Sequence, residues 1–83
     1  MEKSAFNKIS GSYIRKTRMD KGFTQQQLAD KMGLDFQYIS RIERGLISPT
    51  LYWISDLAIA LECNEIDFLT NFINYKSSQN EKK

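Results

Sequence analysis

A short segment of the chain carries the side chains best suited to recognising another molecule. Gln37 and Arg41 are four residues apart, so a helix would present both on one face. A glutamine amide can make paired hydrogen bonds to an adenine edge, and an arginine guanidinium can do the same to guanine. Ser40 lies beside them and offers a hydroxyl that can bond to either kind of base. On the exposed face of a helix, these three side chains are candidates for reading bases in the major groove of double-stranded DNA.

The residues around this group suggest further contacts to DNA. Phe36 has no hydrogen bond to offer, but its ring could pack against a thymine methyl group or, alternatively, on the protein's own surface. The Tyr38 hydroxyl could reach a phosphate, the alternative being a half-buried tyrosine. Phosphate contacts that set the register of binding are also expected from the start of the preceding helix and from the end of the reading helix, at Thr24, Gln25 and Arg44.

Two short helices must position these side chains. The hydroxyl of Thr24 and the side chain of Gln27, three residues later, form a predicted capping box at the start of one helix, and Gly33 ends that helix. Asp35 is the predicted N-cap of the next helix, Phe36 to Arg44. The short, glycine-containing turn between them is typical of a helix-turn-helix.

The rest of the chain shows helical spacing and no strand-like alternation, which predicts an all-α fold. The other predicted helices are Ser4 to Lys21, Leu51 to Leu61, and a last helix that Asn64 caps and that ends near Tyr75. Residues 1–75 are therefore predicted to form one domain. Residues 76–83 contain no apolar side chain and are predicted to be a disordered tail.

The second half of the chain has more apolar side chains than one small core can bury. In the fourth helix the predicted inward stripe is Leu51, Ile54, Leu57, Ala58 and Leu61, which leaves Tyr52, Trp53 and Ile59 in excess. The fifth helix has two stripes, Ile66, Leu69 and Ile73, and Phe68, Phe72 and Tyr75. We expect a two-fold dimer interface on Ile59, Ile66, Leu69, Phe72 and Ile73. For Leu69 and Phe72, the alternative is that they close the core of the monomer.

The segment from Gly22 to Gly45 reads GFTQQQLADKMGLDFQYISRIERG, which resembles the Cro/repressor, or xenobiotic-response-element, family of helix-turn-helix proteins. The family pattern is matched at Gly22, Phe23, Thr24, Gln25, Leu28, Ala29, Gly33, Ile39, Ser40, Ile42, Glu43 and Gly45. The resemblance covers about Ile9 to Leu69 and implies a five-helix DNA-binding domain. It also implies an ion pair between Arg18 and Glu43 beneath the recognition helix.

The resemblance further implies a transcriptional regulator that binds operator half-sites as a homodimer, because one recognition helix reads only a few base pairs. The short chain is similar to controller proteins of restriction-modification systems, which activate or repress. A stand-alone phage-type repressor fits the same features. Another alternative is an antitoxin or other protein-interaction module that uses the helix-turn-helix fold.

Composition argues against several other functions for this chain. It has 12 basic and 10 acidic residues, no histidine and the single cysteine Cys63, so a disulfide within the chain and a cysteine-cluster zinc site are excluded. We find no paired catalytic acid and base, and expect neither an enzyme nor a cofactor, metal or small-molecule ligand. No apolar run approaches the ~20 residues of a membrane span, and a cytoplasmic location is expected.

Overall fold

A computed structural model describes residues 1–81, which form five helices and no strand within that range. The helices are α1 (Lys3–Asp20), α2 (Gln25–Met32), α3 (Phe36–Glu43), α4 (Leu51–Ala60) and α5 (Glu65–Glu81). The all-α fold predicted from the sequence is confirmed. In the part of the chain that the structure describes, no helix is both long and apolar enough to cross a membrane.

Local hydrogen bonds define the helix-turn-helix of α2 and α3. The Thr24 hydroxyl accepts from the Gln27 amide at 3.0 Å, and the Gln27 side chain accepts from the Thr24 amide at 2.9 Å, so the predicted capping box is confirmed. Gly33 ends α2 with φ at 70°, a conformation that costs glycine little. The Asp35 carboxylate then caps α3 by accepting from the amide of Gln37 at 2.8 Å.

Close packing of α1 against α3 fixes the position of α3. A Cβ atom on Gly11 would meet the carbonyl oxygen of Ile42 and lie 2.6 Å from that of Glu43. Only glycine therefore allows this approach without a shift of backbone. The largest fully buried side chains of the core come from all of the first four helices and the end of α4, namely Ile14, Leu28, Ile39, Ile42, Leu57 and Leu61.

The inward face of α4 differs from the predicted one. Leu51, predicted to face the core, is 74% exposed, whereas Trp53, predicted to be in excess, is only 8% exposed. The reason is a partner from a distant part of the chain, because the Tyr38 ring lies 5.5 Å from the Trp53 ring in an edge-to-face arrangement. Trp53 thus joins Leu57 and Ala60 on the buried face of α4, and Leu51 in its first turn remains outside.

The last helix is longer than predicted. It continues past Tyr75 to Glu81, so residues 76–81 are helical and the prediction of a disordered tail is wrong for them. This stretch contains no glycine or proline that would stop a helix. The Tyr75 hydroxyl lies 2.6 Å from the Ser12 hydroxyl, which ties the middle of α5 to α1. The remainder of the predicted tail, residues 82–83, lies outside the described residues.

Candidate nucleic-acid interface

The four predicted base readers share the outer face of α3. Phe36, Gln37 and Arg41 are exposed, and Ser40 is half-buried. Within residues 1–81, the side chains of Gln37 and Arg41 make no hydrogen bond to another protein group. Their amide and guanidinium groups are therefore available to an outside molecule, and an α-helix is an element that the major groove admits.

The start of α2 lies beside the end of this reading helix. The Gln25 amide group donates to the Glu43 carboxylate at 3.0 Å and so joins the first turn of α2 to the last turn of α3. Thr24 precedes Gln25 and uses its hydroxyl oxygen as the helix cap. The first backbone N–H groups of α2 have no partner within the helix and favour an anion such as a phosphate. Hydrogen bonds within the protein thus hold Thr24 and Gln25, both predicted to contact phosphate, in fixed positions.

The Arg18–Glu43 pair implied by the family resemblance is present beneath α3. Arg18 Nε donates to Glu43 Oε2 at 2.6 Å, and Arg18 Nη2 donates to Glu43 Oε1 at 3.0 Å. A third donor, Arg18 Nη1, bonds to the Phe23 carbonyl at 2.7 Å. The two charged side chains are only 9% and 2% exposed. A bidentate pair of this kind fixes orientation as well as distance, so α1 and α3 are held rigidly together.

Tyr38 and Arg44 are placed differently from each other. The ring of Tyr38 is half-buried against Trp53, as in the alternative that the sequence left open. A phosphate contact of its hydroxyl stays a prediction. Arg44 is exposed just beyond the end of α3, where its Nε lies 3.4 Å from the Ser40 carbonyl. Trp53 supports the Tyr38 ring, and the sequence did not predict this contact because the two residues lie in different helices, 15 positions apart.

The predicted dimer residues divide into two groups. Ile59 on α4 and Ile66, Leu69 and Ile73 on α5 are exposed, with Ile66 at 75%. Phe72 is half-buried and instead packs inside the protein, with its ring 5.7 Å from that of Phe6 and 5.5 Å from that of Tyr13. The alternative role for Phe72, closure of the monomer core, is therefore the one observed in the single chain.

Lys31, a basic residue of α2, is paired with an acidic residue that follows α4. Lys31 Nζ lies 3.0 Å from Glu62 Oε2 and 4.9 Å from the centre of the Phe23 ring. The hydrogen bond and the charge of Lys31 lower the pKa of the Glu62 carboxyl. Glu62 lies just after α4 and has a φ of 61°. Its pairing with Lys31 joins the end of α2 to the turn between α4 and α5.

Comparison with known proteins follows the same region of the chain. A family model described as helix-turn-helix matches residues 14–68, which include α2, α3 and all the predicted DNA contacts. The chain belongs to the HTH_3 helix-turn-helix family. This HTH_3 protein is 35% identical over 63 residues to the uncharacterized HTH-type transcriptional regulator y4dJ of Sinorhizobium fredii, covering 76% of the chain and 82% of y4dJ.

Solved structures similar to this HTH_3 protein include restriction-modification controller proteins. C.AhdI from Aeromonas hydrophila is 34% identical, with a TM-score of 0.71 over 77% of this chain and 97% of C.AhdI. C.Esp1396I, solved as a tetramer in complex with its natural 35 base-pair operator, is also 34% identical. Its TM-score is 0.75, over 82% of this chain and 90% of the C.Esp1396I chain.

Proposed function

We propose that this protein is a transcriptional regulator that binds operator DNA as a homodimer, as a controller of the restriction-modification type. The observation that carries the proposal is the outer face of α3. There Gln37 and Arg41 present unbonded hydrogen-bonding groups on a helix whose opposite face, with Ile39 and Ile42, is fully buried. A rigid helix with this division of faces can enter the major groove without any change in the core.

Hydrogen-bonding chemistry assigns a role to each reader. The Gln37 amide would pair with the N6 and N7 atoms of adenine, and the Arg41 guanidinium with the O6 and N7 atoms of guanine. Phe36, exposed in the first turn of α3, would contact a thymine methyl group, and Ser40 would add a hydroxyl between the two main readers. Together they would read one short half-site, which is too little sequence for a single operator in a genome.

The flanking groups would hold the sugar-phosphate backbone. Thr24, Gln25, the first amides of α2 and Arg44 would contact phosphates beside the last turn of α3, and the Tyr38 hydroxyl would contact a phosphate nearer its start. The Gln25 bond to Glu43 supports this arrangement, because it fixes the distance between the start of α2 and the reading helix. These contacts would add affinity for any sequence and would make it depend on salt.

A second copy of the chain would bind the other half-site. Ile66, Leu69 and Ile73 form an exposed apolar stripe on α5, and Ile59 adds an exposed isoleucine on α4. Two such stripes joined about a two-fold axis would remove apolar surface from water and place two α3 helices about one turn of DNA apart, roughly 34 Å. We place this regulator in the cytoplasm and assign it no catalytic activity.

Similar proteins support both parts of the proposal, the binding of operator DNA and the association of more than one copy. C.Esp1396I, similar to this chain over most of both lengths, is an operator-bound tetramer, and C.AhdI is a controller protein of similar fold. Family membership supports the helix-turn-helix as the reading element, since the matched residues contain it whole.

A footprinting titration tests the reading helix with four variants. Gln37→Ala and Arg41→Ala should each relax base preference at one position of a selected operator, by about 1–3 kcal/mol. Arg44→Ala should weaken binding to all sequences and reduce the salt slope by about one unit. Arg15→Ala, which changes an exposed arginine on α1 outside the predicted interface, serves as the matched control. Equal affinity and preference of all the proteins would overturn the assignment.

Sedimentation tests the dimer independently of DNA. An aspartate at an interface position buries an unpaired charge, so Ile66→Asp and Ile73→Asp should shift the protein to monomer. Met19→Asp, on an exposed methionine of α1, is the control and should leave the association unchanged. A wild-type protein that stays monomeric at operator-binding concentrations would contradict the two-fold interface while leaving the reading helix in place.

A further inference from the structure

An apolar cavity lies between α1, the start of α4 and α5, away from the reading face of α3. Its volume is about 270 Å³, and four aromatic rings form much of its wall, those of Phe6, Tyr13, Phe68 and Phe72. Aliphatic side chains from α1, α4 and α5 complete the lining, among them Ile14, Leu51, Ile54 and Leu69. Leu51, which the sequence predicted to face the core, lies at the rim of this cavity and is 74% exposed.

The hydroxyl groups around the cavity are already engaged within the protein. The Tyr13 hydroxyl donates to the Phe68 carbonyl at 2.8 Å, and the Ser10 hydroxyl donates to the Phe6 carbonyl at 2.9 Å. Ser48 donates to the Asn7 side chain at 2.6 Å. A polar or charged molecule entering the cavity would lose its water without gaining these donors. The lining therefore selects for an uncharged, apolar occupant.

We propose that this cavity binds a small, uncharged aromatic molecule of one or two rings. The cavity is larger than the roughly 150 Å³ space in which an engineered protein holds benzene, so a bicyclic compound such as indole is of the right size. The wall rings already pack at centroid distances of 5.1 to 5.7 Å, and a ligand ring could extend this network at similar spacing. This goes beyond the DNA-binding role and against the expectation of no small-molecule ligand.

A second copy of the chain is the competing occupant, and the positions of the exposed residues argue against it. Of the exposed residues assigned to the dimer, Ile59, Ile66 and Ile73 do not line the cavity, and only Leu69 is shared. The centre of the proposed interface therefore lies to one side of the opening. All of the lining residues come from one chain, and Leu69 is the one residue that the cavity shares with the proposed interface.

Isoleucine methyl signals in an NMR titration with indole provide the test. Ile14 and Ile54 line the cavity, whereas Ile39 in α3 and Ile59 on the outside of α4 do not, so the first two signals should shift and the others should stay. For a ligand of this size we expect saturation with a dissociation constant of roughly 1 mM. Indole-3-carboxylate, with the same rings and a charge, should bind at least about tenfold more weakly.

Two variants separate this site from surface binding. Leu51→Trp places a larger side chain at the rim and should weaken indole binding about tenfold or more, whereas Met19→Trp adds the same side chain on an exposed part of α1 and should not. Absence of a saturable shift at Ile14 and Ile54, or equal binding of indole and its carboxylate, overturns the proposal. Methyl shifts that follow protein dilution instead of indole would show that a second copy fills the cavity, which also overturns it.

Discussion

Removal of the Glu43 carboxylate should destabilise the fold strongly. In Glu43→Ala the Arg18 guanidinium, whose side chain is 9% exposed, would keep its charge and lose its two bonds to the carboxylate, at 2.6 and 3.0 Å. The Gln25 amide would lose its partner as well. A buried charge left without its partner costs about 3–5 kcal/mol. Because small domains are stable by only about 5–15 kcal/mol in total, the variant should be partly unfolded at moderate temperature.

Urea denaturation followed by circular dichroism measures this cost. Asp20→Ala is a sharp control, because Asp20 pairs with Lys16 at the same 3.0 Å distance but both side chains are 63% exposed. Loss of such an exposed pair should change the free energy of unfolding by less than about 1 kcal/mol. The double variant Arg18→Met with Glu43→Met removes both charges and should recover most of the stability. If Glu43→Ala costs no more than Asp20→Ala, the burial argument is wrong.

Three further variants probe a close backbone contact, a helix cap and a buried tyrosine. Gly11→Ala should lower the free energy of unfolding by about 1–3 kcal/mol, and with it the melting temperature, because the new methyl group meets carbonyl oxygens of α3. Thr24→Ala should cost about 1 kcal/mol in urea denaturation through loss of the capping box, with Ser in its place as the tolerated control. Burial raises the pKa of Tyr13 above its ordinary value of 10.0, so its stabilising contribution is full below pH 10 and is lost as the pH rises through the folded-state pKa. Tyr13→Phe should therefore flatten the fall in stability above pH 10 in a pH series of denaturation curves, and an unchanged slope would contradict this.

Local features of the fold were predictable because local chemistry determines them. The capping box at Thr24, the cap at Asp35 and the left-handed Gly33 each depend on residues within a few positions of one another. The outer face of α3 followed from the same reasoning, since burial of Ile39 and Ile42 leaves Gln37 and Arg41 outside.

Contacts between distant residues explain what the sequence did not reveal. The fourth helix has apolar side chains on more than one face, and helical spacing alone does not say which face turns inward. Tyr38 decides this by packing on Trp53, and Leu51 is left at the edge of a cavity that no pattern in the sequence indicates. Phe72 similarly had two candidate roles, and rings from α1 give it the inner one in the single chain.

Stability and the proposed recognition of DNA reside in different side chains of α3. Within residues 1–81, the fold uses Ile39, Ile42 and Glu43 from this helix, while Gln37 and Arg41 make no side-chain hydrogen bond to the protein. Substitutions at those two outward positions are consequently almost free of a folding cost, since surface changes of this kind alter stability by about 0.5 kcal/mol or less. If these two residues read bases as proposed, the same scaffold can drift toward new target sequences through single-codon changes, and an engineer could randomise the outward positions in a library without first stabilising the host.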